Sequence, residues 1–265
     1  MILMFFASCK TLKLTGEYID NPPSVVPKVA LSTDINRNNW QHLDPINDSV
    51  PGMSVDKAYK ELIKDSKGET VVVAVLDTGI DIKHEDLKGR IWSNNKEIPG
   101  NNIDDDKNGF IDDVYGWNFL GEAYYEQLEL TRLLGKREDF PEKEEAQKDY
   151  DKRLAEARGE ETLKYYLNYD FKGRTTGDDP DNFNQTYYGD NKVEHSREDE
   201  SHGTHVAGII AATRNNNLGM KGVANNVEIM TLRVVPYGDE YDKDVALGII
   251  YAADNGADII NTSFG

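Results

Sequence analysis

The sequence is short of cysteine, of basic residues and of long apolar runs, and each shortage removes a class of chemistry. One cysteine, Cys9, stands among 265 residues, so no intrachain disulfide can form and no cysteine-built metal cage is available. Thirty Lys and Arg oppose 48 Asp and Glu, a net charge of -18. Such a chain repels nucleic acid phosphates and anionic lipid, and no nucleic acid partner is expected. A surplus of carboxylates suits a protein that gathers divalent cations, although a solvated acidic surface accounts for it equally well. The apolar stretch at the N-terminus is too short to span a bilayer. No internal repeat is present.

That stretch, MILMFFASCK, ends in Ala7, Ser8 and Cys9 and resembles the end of a bacterial lipoprotein signal without its basic start. The expectation is a truncated signal over 1–9, with export to a bacterial surface or periplasm and a lipid anchor at Cys9 as the one membrane attachment. Residues 10–53, rich in Pro, Asn, Asp and Ser, read as an extended tether. A helix capped by Ser54 is predicted to about Lys67, because Val55, Ala58, Tyr59, Leu62 and Ile63 fall at helical spacing. The run Val71 to Leu76, closing on Asp77, Thr78 and Gly79, reads as a strand buried on both faces of a parallel sheet. Similar runs start at Val227 and Ala257. Between them Asp244 to Asn255 forms an amphipathic helix, so strand, helix and strand make a right-handed parallel crossover. The class is α/β, a parallel sheet flanked by helices. Glu122 to Asp170 is charged, with Tyr124, Tyr125, Leu128, Leu133 and Leu134 spaced for one or two helices, and reads as a solvated helical insertion that decorates or covers a site.

In an open parallel sheet, functional groups gather at the carboxyl ends of strands. Asp77 ends a strand and His202 opens the helix HGTHVAGIIAA. A carboxylate so placed can accept a hydrogen bond from one imidazole nitrogen and leave the other to take a proton from a nucleophile. His202 is the candidate general base; His205, one turn deeper, reads as a buried packing residue. Competing readings exist. A histidine at a helix start is commonly structural. An Asp-Thr-Gly also occurs in aspartic proteases, which need two, and one is present. Zinc helices space their histidines four apart around a Glu, whereas these lie three apart around Gly203 and Thr204.

VAVLDTGID, HGTHVAGIIAA and GADIINTSFG resemble the aspartate, histidine and substrate-binding motifs of the subtilisin-like serine peptidases, in that family's order. The likeness extends over about 54–118 and 187–265, leaving an insertion at about 119–186 within an incomplete peptidase domain at 54–265. It implies a serine endopeptidase in which Asp77 and His202 are two of three triad members. Ser263, Phe264 and Gly265 would line the cleft for a protein or peptide substrate, pairing with it as an added strand. Gly203, Ala207, Gly208 and Ala211 would let the His helix lie close on the sheet. The family's oxyanion asparagine and nucleophilic serine fall after Gly265. The chain as written is therefore expected to hold a base without its nucleophile, to be inactive alone, and to leave apolar surface uncovered, with poor solubility. The alternative function is a non-catalytic, calcium-stabilised binding or adhesion module. Oligomeric state is not legible.

DDDKNGFIDD, residues 104–113, alternates oxygen ligands around a Gly turn, as a flexible calcium loop requires. Asp104, Asp106, Asn108, the Phe110 carbonyl and Asp112 are the candidates, although the closing Glu of an EF-hand is replaced by Tyr115. A second calcium site is implied by the family resemblance alone: Asp86 and Asn216 through side chains, Leu218 and Met220 through carbonyls.

Overall fold

A computed structural model describes residues 39–264 except 65, 67, 138, 196, 198 and 199. The signal-like start, most of the expected tether and Gly265 lie outside the described residues. The chain divides into two compact units, 1–60 and 61–265.

In the first unit Asp44 organises the chain. Its carboxylate accepts from the Ile46 and Asn47 amides at 3.1 and 2.7 Å, from the Ser54 hydroxyl at 2.9 Å and from Lys57 at 3.3 Å. The Asn47 amide leads in holding its pKa down to about 2. Ser54 is thereby diverted from the capping role expected of it. Its φ is 61°, and its side chain caps nothing. The helix α1, Val55–Ala58, is short and relaxes into a π-type turn, Tyr59–Ile63.

The second unit is built on four parallel strands, β1 Val71–Asp77, β2 Gly116–Asn118, β3 Val227–Arg233 and β4 Ile259–Thr262, in the order β2-β3-β1-β4. The apolar run of β1 is explained by its central place. Ala74 and Leu76 join Trp117, Phe119, Met230, Leu232 and Tyr251 on one face, whereas Val73 and Val75 join Ile80, Leu87, Ala207, Ala211 and Ile229 on the other. Asp77 stands opposite Arg233 in the β1–β3 register. Strand β2 carries no long apolar run and was not legible in the sequence. It forms because Gly116 lets its backbone meet Thr231, where any Cβ would collide with the Thr231 carbonyl.

Among the described residues the unit also carries four α-helices, α2 Glu129–Lys136, α3 Lys143–Glu156, α4 His202–Ala211 and α5 Asp242–Asp254. Helix α4 packs on the Val73 face and α5 on the Leu76 face, where Gly248 touches Leu76. The crossover from β3 through α5 reaches β4 by passing β1. Ile209, Ile249, Ile250 and Ile259 are exposed, so part of the apolar surface of α4, α5 and β4 is uncovered in this structure.

Helices α2 and α3 belong to the charged segment, and α3 is largely solvated as its composition suggests. Its anchorage is less bland. Arg174 is forked between Asp178, at 2.7 and 2.8 Å, and Asp244, at 2.9 and 2.8 Å. Lys243 reaches Asp178 at 2.5 Å, and the Tyr188 hydroxyl donates to Asp244 at 2.6 Å. These buried charges tie the segment to the first turn of α5. Burial pushes the Asp178 carboxyl up, but hydrogen bonds from Arg174 and Lys243 outweigh it and hold the pKa at about 2. Because that lies below the ordinary 3.8, the stabilisation is complete above about pH 4 and is lost as pH falls through about 2. Asp178→Asn is expected to lower stability at neutral pH by about 3 kcal/mol, since it strands part of a buried ion network. It should also flatten the acid limb of a Tm-against-pH curve between about pH 4 and 2. An unchanged acid limb would contradict this assignment.

Candidate active site

Strand β1 ends at Asp77 because the chain turns sharply at Thr78 and Gly79, where Gly79 takes φ +112°. Beyond the turn the chain is tied to α4 from both sides. The Asp81 amide donates to the Thr204 hydroxyl at 2.9 Å, and the Gly203 amide donates to the Thr78 hydroxyl at 3.3 Å. Gly203 lies so close that a Cβ there would collide with the Gly79 carbonyl and sit 3.1 Å from Asp77 Oδ1. Strand end and helix start are in van der Waals contact.

This close fit brings His202 onto Asp77. Nδ1 lies 2.9 Å from Oδ1 and 3.0 Å from Oδ2, across 125 positions of sequence. Oδ1 also accepts from the Thr78 amide at 2.7 Å. A carboxylate only accepts, so the contact assigns the proton to Nδ1 and leaves the Nε2 lone pair free to accept. The Asp77 side chain is 2 % exposed and that of His202 58 %, which puts the carboxylate inside and the imidazole at the surface. His205 is exposed, contrary to the expected buried role. Gly203, Ala207 and Ala211 form the sheet-facing row, and two residues of helix turn His205 about 200° from Gly203.

Behind the pair stands a residue the sequence reading did not single out. Arg233 is fully buried. It donates to the carbonyls of Thr78 at 2.9 Å, Gly121 at 3.0 Å and Ala123 at 2.8 Å, and to Glu200 Oε1 at 3.0 Å. It thus joins the residue after Asp77 to the residue two before His202. The available signal was a lone arginine in the apolar strand VEIMTLRVV, which demands a buried partner.

Of the cleft residues, Ser263 is exposed with its hydroxyl on Asn261 Oδ1 at 2.9 Å, and Phe264 packs against the main core.

The acidic loop gathers part of its expected ligand set. Carboxylate oxygens of Glu97, Asp104 and Asp106 lie within 4.8 Å of one another. Among the described residues no Lys or Arg forms an ion pair with any of the three, and their donor set is hard oxygen alone, which fits a calcium ion. Asn108 adjoins them, its backbone amide donating to Asp104 Oδ1 and Asp106 Oδ1 at 3.1 Å each. Phe110 is placed by its ring, 5.0 Å from both Trp117 and Tyr251. The Asp112 carboxylate accepts from the amides of Gly100, Asn101 and Asn102 and shapes a neighbouring turn. Glu97, which lies outside the DDDKNGFIDD window and was therefore missed, stands in the cluster with Asp104 and Asp106. Burial raises the Glu97 pKa, as expected for a carboxylate that lacks a countercharge.

At the second implied site, Asp86 is buried. It accepts from Asn216 Nδ2 at 2.7 Å and from the Met220 amide at 3.2 Å, and the Leu218 amide donates to Asn216 Oδ1 at 3.0 Å. The four residues converge, but Leu218 and Met220 make their contacts here through N–H and not through carbonyls.

The pairing has a spectroscopic consequence. In wild-type protein, 15N NMR of the His202 ring is expected to show the neutral imidazole as the Nδ1–H tautomer. Asp77→Asn should shift it toward the Nε2–H form. A tautomer ratio indifferent to the substitution would contradict the geometry.

The family model of the subtilases matches residues 68–265. The chain is 50% identical over 66 residues to the thermophilic serine proteinase of Bacillus sp. (strain AK1), 24% of this chain and 16% of that protein. Over 210 residues it is 26% identical to subtilisin-like protease 1 of Plasmodium falciparum (isolate 3D7), 77% of this chain and 20% of the relative. Similarity to the cell wall-associated protease of Bacillus subtilis (strain 168) is 46% over 69 residues, 26% of this chain and 8% of the relative. The chain thus spans a fifth or less of the length of these curated relatives. A family match over most of the chain, on an open parallel sheet carrying its motifs in order, assigns the protein to the subtilase family.

Proposed function

We propose that the whole protein is a serine endopeptidase of the subtilisin type. The observation that carries this reading is the His202 imidazole, held by Asp77 through Nδ1 with its side chain largely exposed. In the proposed reaction Nε2 takes the proton of an attacking serine hydroxyl as its oxygen bonds the peptide carbonyl carbon. The imidazolium, stabilised by Asp77, then gives that proton to the leaving amine, and water resolves the acyl-enzyme by the same route.

Sheet topology supports a peptide substrate. Strand β1 lies between β3 and β4, and it stops at Asp77 while the chains leaving β3 and β4 continue. A slot one strand wide therefore opens over Asp77. One bank follows Arg233; the other starts at Ser263 and Phe264. An extended peptide laid in it would add as a strand and bring its carbonyl beside His202.

Calcium is assigned to the oxygen-rich loop, held by Glu97, Asp104 and Asp106, with a second ion at Asp86 and Asn216. Its role is structural: a cation at Glu97, Asp104 and Asp106 would neutralise three converging carboxylates. Export is the cell biology in keeping with a peptidase of this family, and one relative is by name cell wall-associated. Attachment through Cys9 remains part of this proposal.

Two measurements test the reading. Full-length gene product is expected to react with a serine-directed fluorophosphonate, and His202→Ala to lower the labelling rate by roughly 10⁴-fold or more. Labelling that survives the substitution would remove His202 as the base. Calorimetric titration should show calcium-dependent heat that Glu97→Gln and Asp104→Asn together abolish at the loop site. Equal heat from variant and wild type would remove that site.

A further inference from the structure

The charged segment between the two motifs meets the slot at one place. Tyr125 forms a parallel bridge with Tyr237. The Tyr237 amide donates to the Tyr124 carbonyl at 2.7 Å, and the Glu126 amide donates to the Tyr237 carbonyl at 2.7 Å. The Tyr124 and Tyr237 rings stack at 4.8 Å, and the Arg197 guanidinium lies 4.3 Å from the Tyr124 ring centre. Gly238, at φ +127°, is packed so tightly that a Cβ would collide with the Glu126 carbonyl. Tyr237–Glu240 is the continuation of β3 past Asp77, whose carbonyl accepts from Val234 and Val235 at 3.0 and 3.2 Å. It is therefore the first bank of the proposed slot.

Arg132, on α2, locks this junction. It is 4 % exposed, and all five of its N–H donors are committed. Nη1 donates to the carbonyls of Gln127 at 2.9 Å and Asp239 at 2.7 Å, and Nη2 to that of Glu240 at 2.9 Å. Glu129 receives the remaining two donors, and the Tyr241 ring lies 4.0 Å below the guanidinium. The Glu129 amide also donates to the Asp239 carboxylate at 2.8 Å. One rigid fork thus holds carbonyls from the inserted strand and from the bank in a single arrangement, a task a lysine cannot perform.

We propose that the inserted segment is a brace for peptide binding, with Arg132 as a positioning residue that fixes the Tyr237–Glu240 bank before substrate arrives. This rests on the peptidase reading for its function but not for its geometry. A preformed bank spares the bound peptide the cost of ordering the loop, so the effect falls on KM and on substrates long enough to reach it. The segment is then part of the cleft's construction rather than a decoration.

The test uses the full-length gene product and its Arg132→Met and Arg132→Lys variants, with two readouts. Amide hydrogen exchange should accelerate at Tyr237 and Asp239 in Arg132→Met while β1 amides keep their protection, which also reports that the domain is folded. With a long peptide, extended on the amino side of the cleaved bond, and a short ester, KM for the peptide should rise relative to that for the ester. The expected change is roughly tenfold, the cost of ordering one or two loop residues on binding. Arg132→Lys should fall between. Unchanged exchange at Tyr237 and Asp239 overturns the brace, and so does faster exchange without the KM difference. If wild-type protein cleaves and labels with nothing, the peptidase reading fails, and the exchange result alone still decides whether Arg132 holds the bank.

Discussion

The structure depends on one close approach, that of Gly203 at the start of α4 to the end of β1. A carboxylate as deeply placed as Asp77 needs donors, and burial without them costs several kcal/mol. The Thr78 amide supplies one and His202 Nδ1 another. The hydrogen bond that orients the imidazole therefore also satisfies a buried charge. A side chain at position 203 would wedge helix and strand apart and undo both. Chemistry and folding share the same contact.

Around that contact three arginines, two of them buried and Arg174 nearly so, perform one kind of task in different places. Arg233 ties Thr78 and Glu200 behind the Asp–His pair, Arg132 ties the inserted strand to the continuation of β3, and Arg174 ties the inserted segment to α5. Each meets the cost of desolvation by spreading its donors over carbonyls or carboxylates, the arrangement that makes a buried guanidinium tolerable. None is interchangeable with a flexible ammonium. Together they explain how a segment as charged as Glu122 to Asp170 is fixed to a domain whose core it scarcely enters.

Continuous apolar runs made the central sheet legible. The run from Val71 became β1 with its end at Asp77, the run from Val227 became β3, and the helix expected from Asp244 starts at Asp242. Local spacing was enough there because strands buried on both faces carry a strong periodic signal. What escaped was set by contacts distant in sequence. Strand β2 exists because Gly116 can abut Thr231, and Ser54 loses its cap to Asp44 ten residues earlier. Glu97 enters the acidic cluster from outside the loop, and the Asp112 carboxylate is engaged by the Gly100, Asn101 and Asn102 amides. His202 could be named from its setting. Glu200 and Arg233 could not, because nothing local announces an ion pair across 33 positions.

The central claim is that Asp77 and His202 act as one unit on a serine. A double-mutant cycle on kcat/KM of the full-length protein tests it most directly, using Asp77→Asn, His202→Ala and their combination. If Asp77 works through the imidazole, the double variant is no slower than His202→Ala alone. Losses that multiply, each substitution costing its full factor in the presence of the other, would contradict the account.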